Sequence, residues 1–145
     1  MMIKIINENK ESFLDLLLLA DDEVHIRNYL SAGEMFVLFQ AEIAQAVCLV
    51  KNNEIENLAV AENSRGQGLG KKLLDYVCTY YQNQSALIVG TDDKSGNVQF
   101  YEKCGFVVFK TIKNYFIENY AEEIYENEEK LIDKVYLKKN LSTKN

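Results

Sequence analysis

The sequence predicts an α/β fold in a single domain, with a mixed central sheet flanked by helices. Its 145 residues are the size of one ordinary domain and contain no internal repeat. Three apolar, β-branched runs between residues 35 and 61 predict antiparallel strands. An amphipathic helix then separates the run that ends at Ala61 from the run that begins at Ala86. A strand, a helix and a strand in this order predict a right-handed parallel βαβ unit, which makes the sheet mixed.

The start of the chain predicts one strand and two helices. Residues 2–7 are a short Ile-rich strand candidate, and the apolar residues 10–20 are expected to form a largely buried helix. Asp21 or Asp22 can cap a second helix, which Gly33 can end by adopting a positive φ.

Residues 35–40, 43–51 and 54–61 are the three predicted antiparallel strands, joined near residues 41–42 and 52–53. Strict alternation in the third strand divides its side chains between two faces. One face carries Glu54, Glu56, Leu58 and Val60, and the other carries Ile55, Asn57 and Ala59. Both carboxylates are therefore expected to point the same way.

Residues 68–83 predict a helix with one buried apolar stripe. The stripe consists of Leu69, Leu73, Leu74, Val77 and Tyr81. Residues 86–91 predict a buried strand, residues 95–103 a short helix that Gly105 ends, and residues 106–112 another strand. Residues 113–133 form an acidic segment, and residues 133–141 alternate like a last edge strand.

The acidic composition disfavours two classes of partner. The formal net charge is −6 and the sequence pI is about 4.9, so long-range repulsion opposes binding to nucleic acid or to an anionic membrane. The longest apolar run, residues 13–20, is too short to span a bilayer and contains Asp15, and no signal-peptide pattern is present. We therefore expect a cytoplasmic protein with no nucleic-acid and no membrane partner.

The cysteine and histidine content argues against metal and triad chemistry. Cys48, Cys78 and Cys104 lack paired C-x-x-C spacing, so buried free thiols are expected. His25 is the only histidine, which excludes multi-histidine metal sites and argues against a Ser-His-Asp triad. It is expected on a helix surface, and no bound metal is expected.

Three glycines, at positions 66, 68 and 70, stand between the third strand and the following helix. They remove side chains that would keep an anion off the backbone, and the helix start directs unpaired N–H groups and a positive dipole end outward. A P-loop is excluded, because counting back from Gly70 and Lys71 puts Arg65 at the first glycine position and Lys72 at the hydroxyl position. The dinucleotide pattern Gly-x-Gly-x-x-Gly also fails, since neither possible frame ends on a glycine.

The pattern that does fit is Arg/Gln-x-x-Gly-x-Gly/Ala, met by Arg65, Gly68 and Gly70 directly after the strand. A second segment, residues 97–106, reads Asn-Val-Gln-Phe-Tyr-Glu-Lys-Cys-Gly-Phe. With these two segments the sequence resembles the GNAT superfamily of acetyl-CoA-dependent N-acetyltransferases. The resemblance implies a GNAT-like fold whose parallel strands splay apart to admit the acyl-pantetheine chain.

The resemblance also implies which residues bind acetyl-CoA. The glycine loop would hold the CoA pyrophosphate, and the strand before it, where the family's strand bulges, would orient the pantetheine through backbone N–H groups. The implied cofactor-binding residues are Leu58, Ala59, Val60, Arg65, Gly66, Gln67, Gly68, Leu69, Gly70, Lys71, Asn97 and Tyr101. Two departures from the family pattern are the lack of any proline before the loop and Lys94 at the position where members often carry an asparagine.

For catalysis, the resemblance implies a base on the third strand and an acid on the later helix. Glu54 and Glu56 are the candidate bases, although solvated carboxylates and a water chain as proton path are alternatives. Tyr101 is the candidate acid for the departing thiolate, although a core aromatic beside Phe100 and Phe106 is the alternative. The activity implied is acetyl transfer from acetyl-CoA to a primary amine by direct attack in a ternary complex.

A non-catalytic CoA-binding or regulatory module is the competing function. The acceptor is expected to be a small-molecule or peptide amine, and the protein a monomer or a homodimer.

Overall fold

The computed structural model describes residues 1–141, which fall into two compact units. The first unit is Met1–Gln84, and the second begins at Ser85. No helix among the described residues is both long enough and apolar enough to cross a membrane.

The first unit contains four strands and three helices. The strands are β1 (Met2–Ile6), β2 (Glu34–Gln40), β3 (Ile43–Lys51) and β4 (Glu54–Val60). The helices are α1 (Leu14–Leu17), α2 (Glu23–Tyr29) and α3 (Leu69–Tyr80), with 3₁₀ turns at Lys10–Phe13 and Glu62–Ser64. The strands pair antiparallel in the order β1-β2-β3-β4, which confirms the three predicted antiparallel strands.

Both predicted turns are tight two-residue hairpins. Ala41 and Glu42 adopt φ values of 49° and 66°, and Asn52 and Asn53 adopt 52° and 64°. Two consecutive residues at positive φ define the turn whose twist matches that of paired strands. Asparagine tolerates this conformation well, which is why the second turn could be read from the sequence.

The sheet of the first unit is covered on both faces. One face packs against α1 and α2, and we call this the α1/α2 face. Its buried cluster is Leu17, Ile26, Tyr29, Leu30, Met35, Val37, Val47, Leu49 and Ala59. On the opposite, α3 face, the fully buried Phe36 meets the rings of Tyr76, Tyr80 and Tyr81 edge-on. Because both faces are covered, β2 and β3 read as nearly continuous apolar runs.

The predicted helix over residues 10–20 is wrong in its length. Only Leu14–Leu17 is α-helical, and Leu18 and Leu19 are 42% and 39% exposed. Leu17 faces the sheet and is fully buried. The apolar content of this segment predicted burial all round, but a single helical turn can bury only the side that meets the sheet.

The predicted stripe of α3 is confirmed, because Leu69, Leu73, Leu74 and Val77 are buried while Lys72 and Asp75 are exposed. The helix ends at Tyr80, three residues earlier than predicted. Such differences are common at helix ends, where the last turn frays.

The second unit contains a three-stranded antiparallel sheet in the order β5-β9-β6. Its elements are β5 (Ala86–Asp92), α4 (Asn97–Lys103), β6 (Val107–Ile112), α5 (Tyr115–Asn119), β7 (Tyr125–Glu126), β8 (Glu129–Lys130) and β9 (Lys134–Asn140). The predicted edge position of the last strand is wrong, since β9 pairs on both sides. Side-chain alternation reports which face is buried, and it carries no information about pairing in the plane of the sheet.

The acidic segment, residues 113–133, is partly ordered into α5 and the β7–β8 hairpin. Its Tyr115 ring lies 4.3 Å from the ammonium nitrogen of Lys134, which is also 4.9 Å from the ring of Tyr136. A Cβ on Gly90 would come within 2.3 Å of Lys134 Cε, so this cation–π arrangement needs a glycine on β5.

Candidate active site

The glycine loop, residues 65–68, connects β4 and its following 3₁₀ turn to α3. All four residues are exposed, and Gly66 and Gly68 adopt φ values of +81° and +76°. A Cβ added at either glycine would meet nothing within 4 Å. Packing of the chain therefore does not require glycine here, whereas the positive φ favours it.

The entry to this loop is fixed by contacts with β3. The N–H of Ala61 donates to the carbonyl of Gln45 at 2.8 Å, and the hydroxyl of the buried Ser64 donates to the side chain of Gln45. Arg65 Nε donates to the carbonyl of Val60 at 3.2 Å. These bonds hold the loop in the absence of a proline.

The start of α3 provides the anion-binding geometry that the sequence predicts. Gly68 is its N-cap, and the N–H of Lys72 donates to the Gly68 carbonyl at 3.1 Å. The N–H groups before Lys72 have no acceptor inside the helix, and they stand at its positive dipole end. Lys71 Nζ lies 2.8 Å from the Asp75 carboxylate. The positive charge of Lys71 is therefore partly balanced by Asp75 in an exposed ion pair.

The pairing of β3 with β4 places a bulge at Glu56. Leu49 pairs with Asn57 and the next residue, Val50, pairs with Ile55, so that one residue of β4 is extra. Ile55 and Asn57 therefore lie on opposite faces, and the predicted strict alternation is wrong across this point.

Leu58, Ala59 and Val60 lie beyond the bulge. They pair in regular register with Cys48, Val47 and Ala46. The expectation of a bulge at these three residues is therefore wrong for the ladder with β3, where the irregularity comes before them. Their role in orienting pantetheine stays a prediction.

The bulge also changes which neighbours the two candidate bases have. Glu54 pairs with Lys51, which alternation places on the same face as Leu49 and therefore as Asn57. The carboxylate of Glu56 acts electrostatically on Tyr29, a member of the buried cluster on the α1/α2 face. The register thus places Glu54 on the α1/α2 side, together with Asn57, and its predicted grouping with Leu58 and Val60 is wrong.

Asn57 is the centre of a buried hydrogen-bond chain that the sequence did not reveal. Its side chain is 3% exposed, and its Nδ2 donates to the Leu17 carbonyl at 3.0 Å and to the Tyr29 hydroxyl at 3.1 Å. The Tyr29 hydroxyl donates in turn to Asp21 Oδ2 at 3.0 Å. Burial raises the pKa of Tyr29, the hydrogen bond from Asn57 opposes this, and the charges of Asp21 and Glu56 raise it further.

Asp22 and His25 stand at the start of α2, next to this chain. Asp22 caps the helix by accepting from the His25 N–H at 2.9 Å, and its carboxylate lies 2.6 Å from His25 Nδ1. Burial opposes ionisation of Asp22, but the two hydrogen bonds and the charge of His25 leave its pKa below the usual value. His25 is partly buried, so the surface position predicted for it is only half correct.

In the second unit, Asp92 organises the turn that leads into α4. Its carboxylate accepts from the N–H groups of Lys94 and Ser95 at 2.7 and 2.6 Å and from the Ser95 hydroxyl at 2.9 Å. Gly96 follows with φ of +93° and caps the helix. This turn fixes where α4 begins.

Asn97 and Tyr101 lie one turn apart on α4, at positions that share a helix face. Asn97 Nδ2 donates to the Thr91 hydroxyl at 3.1 Å, so its amide is tied to the end of β5. Tyr101 is 6% exposed, and its ring meets those of Phe100 and Phe106 edge-on at 5.2 and 5.5 Å. The predicted site residues on α4 are therefore held by a hydrogen bond and by ring contacts, and the aromatic packing expected as the alternative role for Tyr101 is present as well.

The three cysteines are buried thiols that form no disulfide within the described residues, as predicted. Burial raises the pKa of the Cys48 thiol, and the neighbouring Cys78 adds to this effect. A thiol with a raised pKa is a poor nucleophile at neutral pH.

Comparison with a known protein family matches the part of the chain that contains both the glycine loop and the segment 97–106. The sequence model of the family described as acetyltransferase (GNAT) domain matches residues 31–108, which include the glycine loop, Asn97 and Tyr101. The chain is also 32% identical over 134 residues to the uncharacterized N-acetyltransferase YvbK of Bacillus subtilis, covering 86% of each protein. The chain belongs to the GNAT acetyltransferase family.

Solved structures of GNAT acetyltransferases match nearly the whole chain. An IAA acetyltransferase from Bacillus cereus is 36% identical with a TM-score of 0.88, covering 97% of this chain and 99% of its own. A GNAT acetyltransferase from Elizabethkingia anophelis, solved with acetyl-CoA bound, is 32% identical with a TM-score of 0.91 and 97% coverage of both chains. The predicted α/β GNAT fold is thereby confirmed, and this GNAT protein is an acyltransferase.

Proposed function

We propose that this GNAT protein transfers the acetyl group of acetyl-CoA to a primary amine by direct attack within a ternary complex. The observation that carries the proposal is the exposed glycine loop, which leads into the start of a twelve-residue helix and has no chain atoms within 4 Å of the Cβ positions of Gly66 and Gly68. A diphosphate fits this arrangement because backbone N–H groups, a positive dipole end and open space meet there. The acetyl-CoA complex of the Elizabethkingia anophelis protein supports the same cosubstrate for this chain.

In the proposed reaction, bound acetyl-CoA supplies the thioester carbonyl that the amine attacks. The new C–N bond forms as the C–S bond breaks, so the amine must lose a proton and the thiolate must gain one. Glu54 and Glu56 would accept the amine proton directly or through water. Tyr101 would supply the proton to the sulfur.

The cofactor roles divide between backbone and side chains. The backbone of residues 65–70 would bind the pyrophosphate, while the N–H groups of Leu58, Ala59 and Val60 would orient the pantetheine and thioester. Asn97 would stand beside the pantetheine with its amide fixed by Thr91. Lys71 would contribute a weakened charge, because Asp75 shares it.

Free-thiol release from acetyl-CoA, measured across a panel of primary amines, tests this proposal. Mass spectrometry should show a gain of one acetyl group on the amine, and CoA binding should be measured on the same preparation. Binding of CoA without thiol release for any amine would contradict the proposal and favour a binding module.

A further inference from the structure

The polar chain on the α1/α2 face contains four side-chain groups whose oxygens can accept hydrogen bonds. We call Asp21, Tyr29, Glu56 and Asn57 the acceptor cluster. The one proton of the Tyr29 hydroxyl is already donated to Asp21, so its oxygen can only accept further bonds. Asp21 and Glu56 add carboxylates, which accept and carry negative charge.

The orientation of the Asn57 amide is fixed by its surroundings. The Leu17 carbonyl can only accept, so the amide nitrogen must face it, and the same nitrogen reaches the Tyr29 oxygen. Asn57 Oδ1, the other polar atom of this planar group, is buried and has no hydrogen-bond partner among the described residues. A buried oxygen without a donor costs free energy, and this cost is recovered when a donor arrives.

Charge and hydrogen-bond direction select the same kind of ligand. The chain carries a net charge of −6, and the charges of Asp21 and Glu56 both act on the buried Tyr29 phenol. Arg27, the arginine of α2, is held by Glu11 and Glu23 on the exposed side of its helix. The oxygens of the cluster can only accept, so an anion or a carbonyl ligand would gain no hydrogen bond from them, whereas an ammonium group brings both N–H donors and positive charge.

We propose that the acceptor cluster binds a second ammonium group of the acetyl acceptor, so that the acceptor is an alkyl diamine or polyamine. The inference rests on the proposed acetyl transfer and names the substrate class of the same site. Glu54 lies on the same side of β4 as Asn57, so one nitrogen can be bound by the cluster while another is presented to Glu54 as the base.

Matched four-carbon amines test the inference. We expect kcat/KM for 1,4-diaminobutane to exceed that for n-butylamine by about 10- to 100-fold, the usual value of a charged hydrogen bond. Asp21→Asn should reduce this ratio toward the factor of about two that having two amino groups gives. Asp15→Asn removes the same charge from the exposed side of α1 and should leave the ratio unchanged.

Tyr29→Phe provides a second variant if Asp21→Asn is unstable. It removes the hydroxyl between Asn57 and Asp21 and keeps the ring in the core, so the diamine ratio should fall here as well. Equal kcat/KM for both amines in the wild type, or an unchanged ratio in a folded variant, would overturn the inference while leaving acetyl transfer intact.

Calorimetric titration with 1,4-diaminobutane in the presence of CoA separates this inference from the proposed function. If no amine releases thiol, the proposed function fails, but binding still reports on the cluster. Wild-type binding that Asp21→Asn weakens by about 10-fold or more supports the inference. Absent or unaltered binding overturns it, as does binding of Mn²⁺ by Asp21, Asp22 and His25 with no binding of the diamine.

Discussion

The glycine loop and the acceptor cluster lie in the same unit, yet they provide for ligands in opposite ways. The loop offers backbone groups from exposed residues, and positions 66 and 68 are glycines, which have no side chain. The cluster offers side-chain oxygens, one of them on the buried Asn57. Substitutions in the loop should therefore change ligand affinity, whereas substitutions among reactive side chains should change turnover or acceptor choice.

Tyr101→Phe should give the largest effect. It removes the proposed acid and keeps the ring between Phe100 and Phe106, so kcat should fall by about 10²- to 10⁴-fold with CoA affinity nearly unchanged. Steady-state kinetics and CoA titration measure the two quantities. Tyr125→Phe, at a 55% exposed residue of β7, is the matched control. Wild-type turnover with chemistry shown to be rate-limiting would remove Tyr101 from the mechanism.

The double substitution of Glu54 and Glu56 by glutamine should come next, with a loss of about 10²-fold in kcat/KM. Each single variant should keep partial activity, and Glu56→Gln should be the more damaging because Glu56 occupies the bulge. In the wild type, kcat/KM should rise with pH through one ionisation, since only the neutral amine can attack. Glu62→Gln, in the exposed turn after β4, is the control.

An unaltered pH–rate profile with full activity in the double variant would show that neither carboxylate is the base. A water chain would then be the proton path.

Gly68→Val should weaken CoA binding by about 10-fold or more, because a branched side chain at positive φ is strained and occupies the space of the diphosphate. Ala41→Val is the control, since Ala41 also adopts a positive φ in an exposed turn. Both variants should lose some thermal stability, but only Gly68→Val should lose affinity. A folded Gly68→Val protein with wild-type affinity would refute the loop assignment.

The smallest effect concerns alkaline stability, to which Tyr29 of the cluster contributes together with Tyr81, whose pKa is also raised by burial and by Glu34. The pKa of Tyr29 is raised in the folded protein, so above pH of about 10 the unfolded chain releases a proton that the folded chain keeps. Stability is therefore fully present below this pH and falls as the pH rises, and the melting temperature should drop by a few degrees. Tyr29→Phe should make the pH dependence less steep, while Tyr125→Phe should not. Equal slopes in all three proteins would contradict a neutral, buried Tyr29.

The sequence predicted the conformation of the loop well because that conformation depends on residue type at fixed spacing. Gly66 and Gly68 adopt positive φ, and α3 begins directly after them, as the pattern indicates. The strands were equally accessible, since their periodicity and the asparagine turn at 52–53 are local features.

The acceptor cluster could not be predicted, because nothing local specifies it. The bulge at Glu56 arises from the pairing of β4 with β3, and the partners of Asn57 are 40 and 28 residues distant in sequence. The sequence did contain one signal, a polar amide flanked by apolar strand residues, which is costly unless it has tertiary partners. The inner position of β9 was missed for a related reason, since in-plane pairing leaves no mark on side-chain alternation.

The bulge at Glu56 also bears on which changes in chain length this strand can accept. Leu49–Asn57 and Val50–Ile55 are consecutive pairs of the ladder, so removing Glu56 would leave a continuous antiparallel register with every later residue on its present face. Deletion of Leu58, Ala59 or Val60 would instead shift part of the strand by one position and move side chains to the opposite face. Glu56 is thus the residue of β4 that has no partner in the β3–β4 ladder, and its carboxylate can be altered with little cost to that ladder.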